Sequence, residues 1–208
     1  MKTDETWKFI HSERADLAET LTGLQSEQWR ADSWCTGWSI KKAVGHVVAA
    51  AEQTFPGFYR ELAAAGFKFD GFADRGADIT STASNEELIA RLRARTTTTN
   101  HPPAPVMAML GEIIVHGDDI RRPLGLVHRS PDAALVAVAD NWKRSNLLIG
   151  AKRRIEGLSL RATDVAWRHG DGPLVQGPLQ SLILAMTGRH GALSDLSGEG
   201  VSVLEKRP

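Results

Sequence analysis

MLGEIIVHGDDIR, residues 109–121, is the stretch on which the reading of the fold turns. Its apolar residues Met109, Leu110, Ile113 and Ile114 surround Glu112 and His116, which stand four positions apart. In a helix that spacing puts both polar side chains on one face, a single turn apart. From Val106 to Ile120 the apolar residues cover nearly the whole circumference, so the sequence predicts a buried helix. A carboxylate or imidazole in such a helix must be paired, neutralised or bound to a metal.

Working outward, Thr3 to Leu24 reads as an amphipathic helix with Trp7, Ile10, Ala15, Leu17, Ala18, Leu21 and Leu24 inward. Gln28 to Trp38 reads as a Trp-rich loop, and Ser39 as the N-cap of a helix from Ile40 to about Ala64. In that helix Ile40, Val44, Val47, Val48, Ala51, Phe55 and Phe58 form the apolar stripe, and Pro56 is expected to kink its end. His46 falls on a flank with Ala43, Ala50 and Gly57, where small neighbours leave room for a backbone or a ligand. Gly66 to Ala83 reads as a long loop. Asn85 then caps a short helix to about Thr96, and Pro131 to about Ala151 is helical again. These are four main helices and a shorter one, the pattern of an antiparallel bundle.

After Lys152 the pattern changes. Leu158 to Thr163, Val165 to Arg168, Leu174-Val175 and Val201 to Leu204 read as strands, with a hairpin turn at Asp171-Gly172. Pro178 opens a helix ending at Gly188. The fold class is therefore mainly α with a small α+β tail: residues 1–151 a helical bundle, residues 152–208 a small α+β domain packed on it.

Composition narrows the function classes. Of 208 residues, 42% are hydrophobic and 24% charged, ordinary for a globular protein. Lys plus Arg and Asp plus Glu are each 25, so no basic surplus points to nucleic acid or anionic lipid. Cys35 is the single cysteine, which excludes an intramolecular disulfide and fits a reducing compartment. The acidic N-terminus lacks the apolar core of a signal peptide, and no run reaches the ~20 apolar residues of a membrane span. The expectation is a soluble, cytoplasmic protein.

A catalytic zinc site takes three protein ligands and leaves one position open. Glu112 and His116 supply two from one helix, and His46 on a neighbouring helix is the natural third. Asp119, one turn beyond His116, can orient its imidazole. Two blander readings stand beside this one: Glu112 and His116 as a hydrogen-bonded pair, and His46 as a core histidine. Cys35 in its Trp-flanked loop reads as a packing residue, and Asp118-Asp119 with Arg121-Arg122 as a charged helix end.

CTGWSIKKAVGHVVAAAE (35–52) resembles a family pattern of a Cys-x-Gly-Trp element followed by a helix with a Gly-His pair. GEIIVHGDDIRRPLG (111–125) resembles the same family's second motif. ATDVAWRHGDGPLVQGP (162–178), LILAMTGR (182–189) and LSGEGV (196–201) resemble its C-terminal domain. The family is the mycothiol-dependent maleylpyruvate isomerase-like group, within the DinB-type metal-binding four-helix bundles. The resemblance implies zinc on His46, Glu112 and His116, and a low-molecular-weight thiol such as mycothiol as cosubstrate. It also implies two arginines for the acidic substrate and cofactor. Arg75 is the better match in the loop, with Arg60 its competitor, and Arg189 matches in the Thr-Gly-Arg element. The implied reaction is cis/trans isomerisation of an unsaturated diacid. Thiol transfer to another electrophile shares every residue named, and a non-catalytic metal-containing binding or regulatory module is the third reading. Two imidazoles and a carboxylate also suit nickel, cobalt or iron.

Overall fold

The computed structural model describes residues 1–67, 69–147 and 149–207, without the side chains of Phe69 and Asp70. Lys68, within the expected loop, and Leu148, within the expected helix to Ala151, lie outside the described residues, as does Pro208. Helix α1 (Thr3–Thr22) buries Trp7, Ile10, Leu17, Ala18 and Leu21. Ala15 is exposed and Leu24 half-buried, while Glu13 and Arg14 are buried instead. Both have partners: Arg14 donates from Nη1 to the Arg95 carbonyl at 3.0 Å, and Glu13 Oε2 lies 2.9 Å from His128 Nε2. Buried polar groups persist where such partners exist.

Part of the expected Trp-rich loop is helical, as α2 (Ser26–Arg30), closed by a reciprocal cap between Gln25 and Gln28. Helix α3 (Ile40–Glu52) opens with Ser39 Oγ accepting from the Lys42 N–H, as expected. It ends twelve residues earlier than the periodicity predicted. Thr54 caps a separate helix, α4 (Phe55–Ala64), with Pro56 in its first turn. Pro56 starts a helix there because its missing N–H would lack a partner in any first turn. Phe55 is consequently 58% exposed rather than part of the α3 stripe.

The stretch expected to be a loop contains helix α5 (Phe69–Thr80). Gly71 and Gly76 each weigh against a helix by ~1 kcal/mol, which is why the local signal reads as loop. Packing on α3 decides otherwise. A Cβ on Gly45 of α3 would stand 2.9 Å from the Ala77 carbonyl and 3.0 Å from Ser81, so the two backbones meet at a glycine. Helix α6 (Asn85–Arg93) is capped by Ser84, one residue before the cap expected. Helix α7 (Val106–Arg121) buries Met109, Leu110, Ile113, Ile114, Val115 and Ile120, as its pattern predicted.

Helix α1 packs on α6 and α7, and α3 packs on the same two, closing a ring of four helices. The fourth member is the short α6, not the helix after Pro131. By its contacts the chain divides into Met1–His128 and Arg129–Pro208, so that later helix is counted with the second unit.

In the second unit α8 (Asp132–Trp142) stops well short of Ala151, where α9 (Ala151–Arg154) begins. Strands β1 (Ser159–Ala162), β2 (Arg168–His169) and β3 (Leu174–Gly177) form a sheet in the order β2-β1-β3. β1 is antiparallel to β2, with Leu160 opposite His169, and parallel to β3, with Ser159 opposite Leu174. Asp171-Gly172 therefore does not close a hairpin between β2 and β3. The chain crosses the start of β1, where a Cβ on Gly170 would lie 2.2 Å from the Leu158 carbonyl. Helix α10 (Leu179–Met186) buries every residue and packs on α8. Val201–Leu204 is helical, α11, rather than a strand. The free edge of β3 is already taken by Ser197, which pairs with Gln176. The protein is thus mainly helical with a small three-stranded mixed sheet near its C-terminus. Among the described residues no helix is long and apolar enough to cross a membrane.

Candidate metal centre

Helices α3 and α7 are neighbours in the ring and carry the expected ligands, His46 on α3 and Glu112 and His116 on α7. His46 on α3 brings Nε2 to 3.6 Å from Glu112 Oε1 on α7, beyond a hydrogen bond but within ion-pair range. The His46 and His116 rings stand edge to face, centroids 4.7 Å apart and planes at 75°. His46, Glu112 and His116 retain 17%, 25% and 16% of their side-chain exposure, and among the described residues their three donor atoms are not a set lying within 4.8 Å of one another.

Asp119 is fully buried, and its Oδ2 lies 2.9 Å from His116 Nδ1. Its i,i+3 place on α7 makes that contact a product of helix geometry alone. Cys35 arrives from outside the helix: Sγ donates to Asp119 Oδ2 at 3.0 Å and lies 3.5 Å from His116 Nδ1. The Cys35, His116 and Asp119 donor atoms all lie within 4.8 Å of one another, a group able to hold a metal ion. Cys35 is thus no mere packing residue. The charged helix end formed by Asp118, Asp119 and Arg121 is buried.

Burial alone would lower the pKa of His116, but its bonds to Asp119 and Cys35 outweigh that and push it up to about 10. Burial raises the Glu112 carboxyl above its ordinary value, against the opposing pull of His116 and Arg14. Trp38 extends the site on the α3 side. Its ring meets the His46 ring at 5.3 Å and 60°, and its Nε1 donates to Asp74 Oδ1 of α5 at 3.2 Å. Lys42 ties α3 to the same helix through Asp74 at 2.6 Å and Asp78 at 2.7 Å.

The arginines are placed differently. Arg75 on α5 lines a cavity of 580 Å³ with Ala64, Ala65, Gly71, Asp74, Asp78 and Ile79. Its competitor Arg60 points outward, 80% exposed and 3.7 Å from Glu61. In the second unit Arg189 follows α10 and donates from Nη1 to the Thr187 carbonyl at 3.1 Å. Sequence reasoning passed over Cys35, Trp38 and Arg14 as site neighbours. The Cys-x-Gly-Trp turn was the available signal for the first two, and Arg14 offered none.

Residues 10–104 match the mycothiol maleylpyruvate isomerase N-terminal domain family. The matched span includes Cys35, His46 and Arg75 and stops short of α7. A crystal structure of the mycothiol-dependent maleylpyruvate isomerase superposes with a TM-score of 0.65 at 15% identity, covering 96% of this chain and 93% of that one. Its histidine-to-alanine mutant superposes at 0.64 with 16% identity and the same coverage. At such identity the likeness is one of fold, and it extends well beyond the N-terminal domain. No curated protein matches the sequence.

Proposed function

We propose that the protein is a metal- and thiol-dependent enzyme that isomerises a cis-unsaturated diacid, with His46, Glu112 and His116 as its metal ligands. One observation carries this reading: His46 Nε2 and Glu112 Oε1 stand 3.6 Å apart, with the His116 ring edge-on to His46. Donors bound to one tetrahedral zinc at 2.0–2.1 Å are separated by roughly 3.3 Å, so this spacing suits a shared ion better than a hydrogen bond. Two imidazoles and one carboxylate are also a donor set that leaves a coordination position open.

When bound, the metal supplies a Lewis acid that deprotonates a coordinated thiol. The residues of the chain do the rest. Asp119 accepts the Nδ1 proton of His116, which leaves Nε2 as the ligating atom and fixes the plane of the ring. Arg75, with its planar guanidinium at the α5 cavity, binds a carboxylate of the substrate. The bound thiolate would supply reversible addition to the double bond of the diacid, which is the chemistry that permits cis/trans interconversion with no net change in the thiol. The fold likeness to an isomerase supports this reaction over thiol transfer.

The test is metal analysis of the purified protein and of His46→Ala and Glu112→Ala, followed by isomerisation of maleylpyruvate with and without mycothiol. Metal lost in both variants and strictly thiol-dependent isomerisation are expected. Full metal in both variants, or turnover without thiol, would overturn the reading. Conjugation of a generic electrophile without isomerisation would transfer the protein to the thiol transferases.

A further inference from the structure

The loop between α2 and α3 is built onto one residue of α7. The Trp34 N–H donates to the main-chain carbonyl of Asp119 at 3.0 Å, and the next residue sends its thiol to the Asp119 carboxylate. The loop holds Cys35 firmly in place. Its N–H donates to Ser33 Oγ at 3.1 Å, its carbonyl accepts from the Trp38 N–H at 2.9 Å, and Gly37 takes the positive φ of +77° that closes the turn. Sγ thereby reaches the same oxygen, Oδ2, that lies against His116 Nδ1.

Two donors on one carboxylate oxygen do more than one. An aspartate turns readily about its last torsion, and each further donor on its carboxylate makes that turn costlier. With His116 and Cys35 converging at 2.9 and 3.0 Å, turning the fully buried Asp119 carboxylate breaks both bonds. These separations are shorter than the roughly 3.3 Å or more expected between donors on one tetrahedral zinc, and they fit shared protons. A thiol is a weak donor, so it steadies the carboxylate without drawing it away from the imidazole.

We propose that Cys35 is a positioning residue of the metal centre, holding Asp119, and through it the His116 imidazole, in the ligating orientation, with its own sulfur off the metal. This rests on the reading of His46, Glu112 and His116 as the ligands.

The experiment compares wild type, Cys35→Ala and Cys35→Ser by zinc competition with a chromophoric chelator, by spectra of the cobalt-loaded proteins, and by NMR of the His116 ring. Cys35→Ala should weaken zinc binding about tenfold, the usual effect of losing a partner behind a ligand, and Cys35→Ser should restore it, since a hydroxyl also donates. Cobalt-loaded wild type should lack a thiolate-to-cobalt charge-transfer band. Such a band, lost in Cys35→Ser, would make Cys35 a ligand and overturn the proposal. So would a Cys35→Ala variant with undiminished zinc affinity. If wild type binds no metal, the functional reading fails by itself, and the metal-free protein still tests the contact. The His116 Nδ1–H resonance should be slow to exchange in wild type and Cys35→Ser and lost in Cys35→Ala; its persistence in Cys35→Ala overturns the proposal.

Discussion

His116 illustrates how one side chain can be legible in part. Its place on the Glu112 face of α7 follows from a spacing of four, a property of any helix. Its bond to Asp119 follows from a spacing of three. Its contact with Cys35 crosses 81 positions of sequence and no local pattern announces it. Together these partners hold the imidazole protonated up to about 10, and burial keeps the Glu112 proton on above the ordinary 4.5. Both groups must lose their protons to bind a metal, so binding releases protons and tightens as the pH rises. Calorimetry in two buffers of different ionisation enthalpy at neutral pH should show net proton release. No release would mean that His116 does not give up a proton to the metal.

At the scale of the element, α5 shows tertiary contact overruling a local signal. Its two glycines argue for a loop, and close packing on α3 at Gly45 makes a helix. Gly45→Ala places a methyl 2.9 Å from the Ala77 carbonyl and should destabilise the protein by ~1–3 kcal/mol, visible as a lower Tm. An unchanged Tm would mean that the helices part freely. Lys42 spans the same junction, yet Asp74 and Asp78 keep 53% and 58% of their exposure, so that pairing adds little beside the backbone fit.

The start of α10 offers a second case. Pro178 cannot cap it with a side chain, and Asp164, fourteen residues earlier, accepts the Leu179 N–H at 2.9 Å instead. Burial would raise the Asp164 carboxyl, but Arg129 and that N–H hold it below its ordinary 3.8. A group lowered in this way contributes stability above 3.8 that is lost as the pH falls through the folded value. Asp164→Ala should cost ~1 kcal/mol at neutral pH and progressively less in acid, measured by denaturant unfolding across the pH range. A cost that does not shrink in acid would assign the effect to packing.

Across the whole molecule, the proposed ligands His46, Glu112 and His116 come from α3 and α7, so an ion bound by them would tie those helices together. Anything that binds only the folded chain stabilises it by mass action, roughly 4 kcal/mol at a thousandfold excess over Kd. Zinc should therefore raise the Tm of wild type in proportion to the logarithm of its concentration, and a chelator should reverse this. In His46→Ala the shift should vanish; an equal shift there would place the ion elsewhere.

From its amino acids alone the chain declared a buried helix at 106–121, a Glu112–His116 face, a second helix bearing His46, and a mainly helical fold with a small sheet. Those features repeat every 3.6 or two residues, or sit at the end of one element, so a short window contains them. Tertiary structure decided the rest. It chose α6 as the fourth helix of the ring, made α5 a helix, laid β3 parallel to β1, and brought Cys35 to Asp119. Each of these joins residues distant in sequence, and its free energy comes from backbone and side-chain contacts that exist only once the chain has folded.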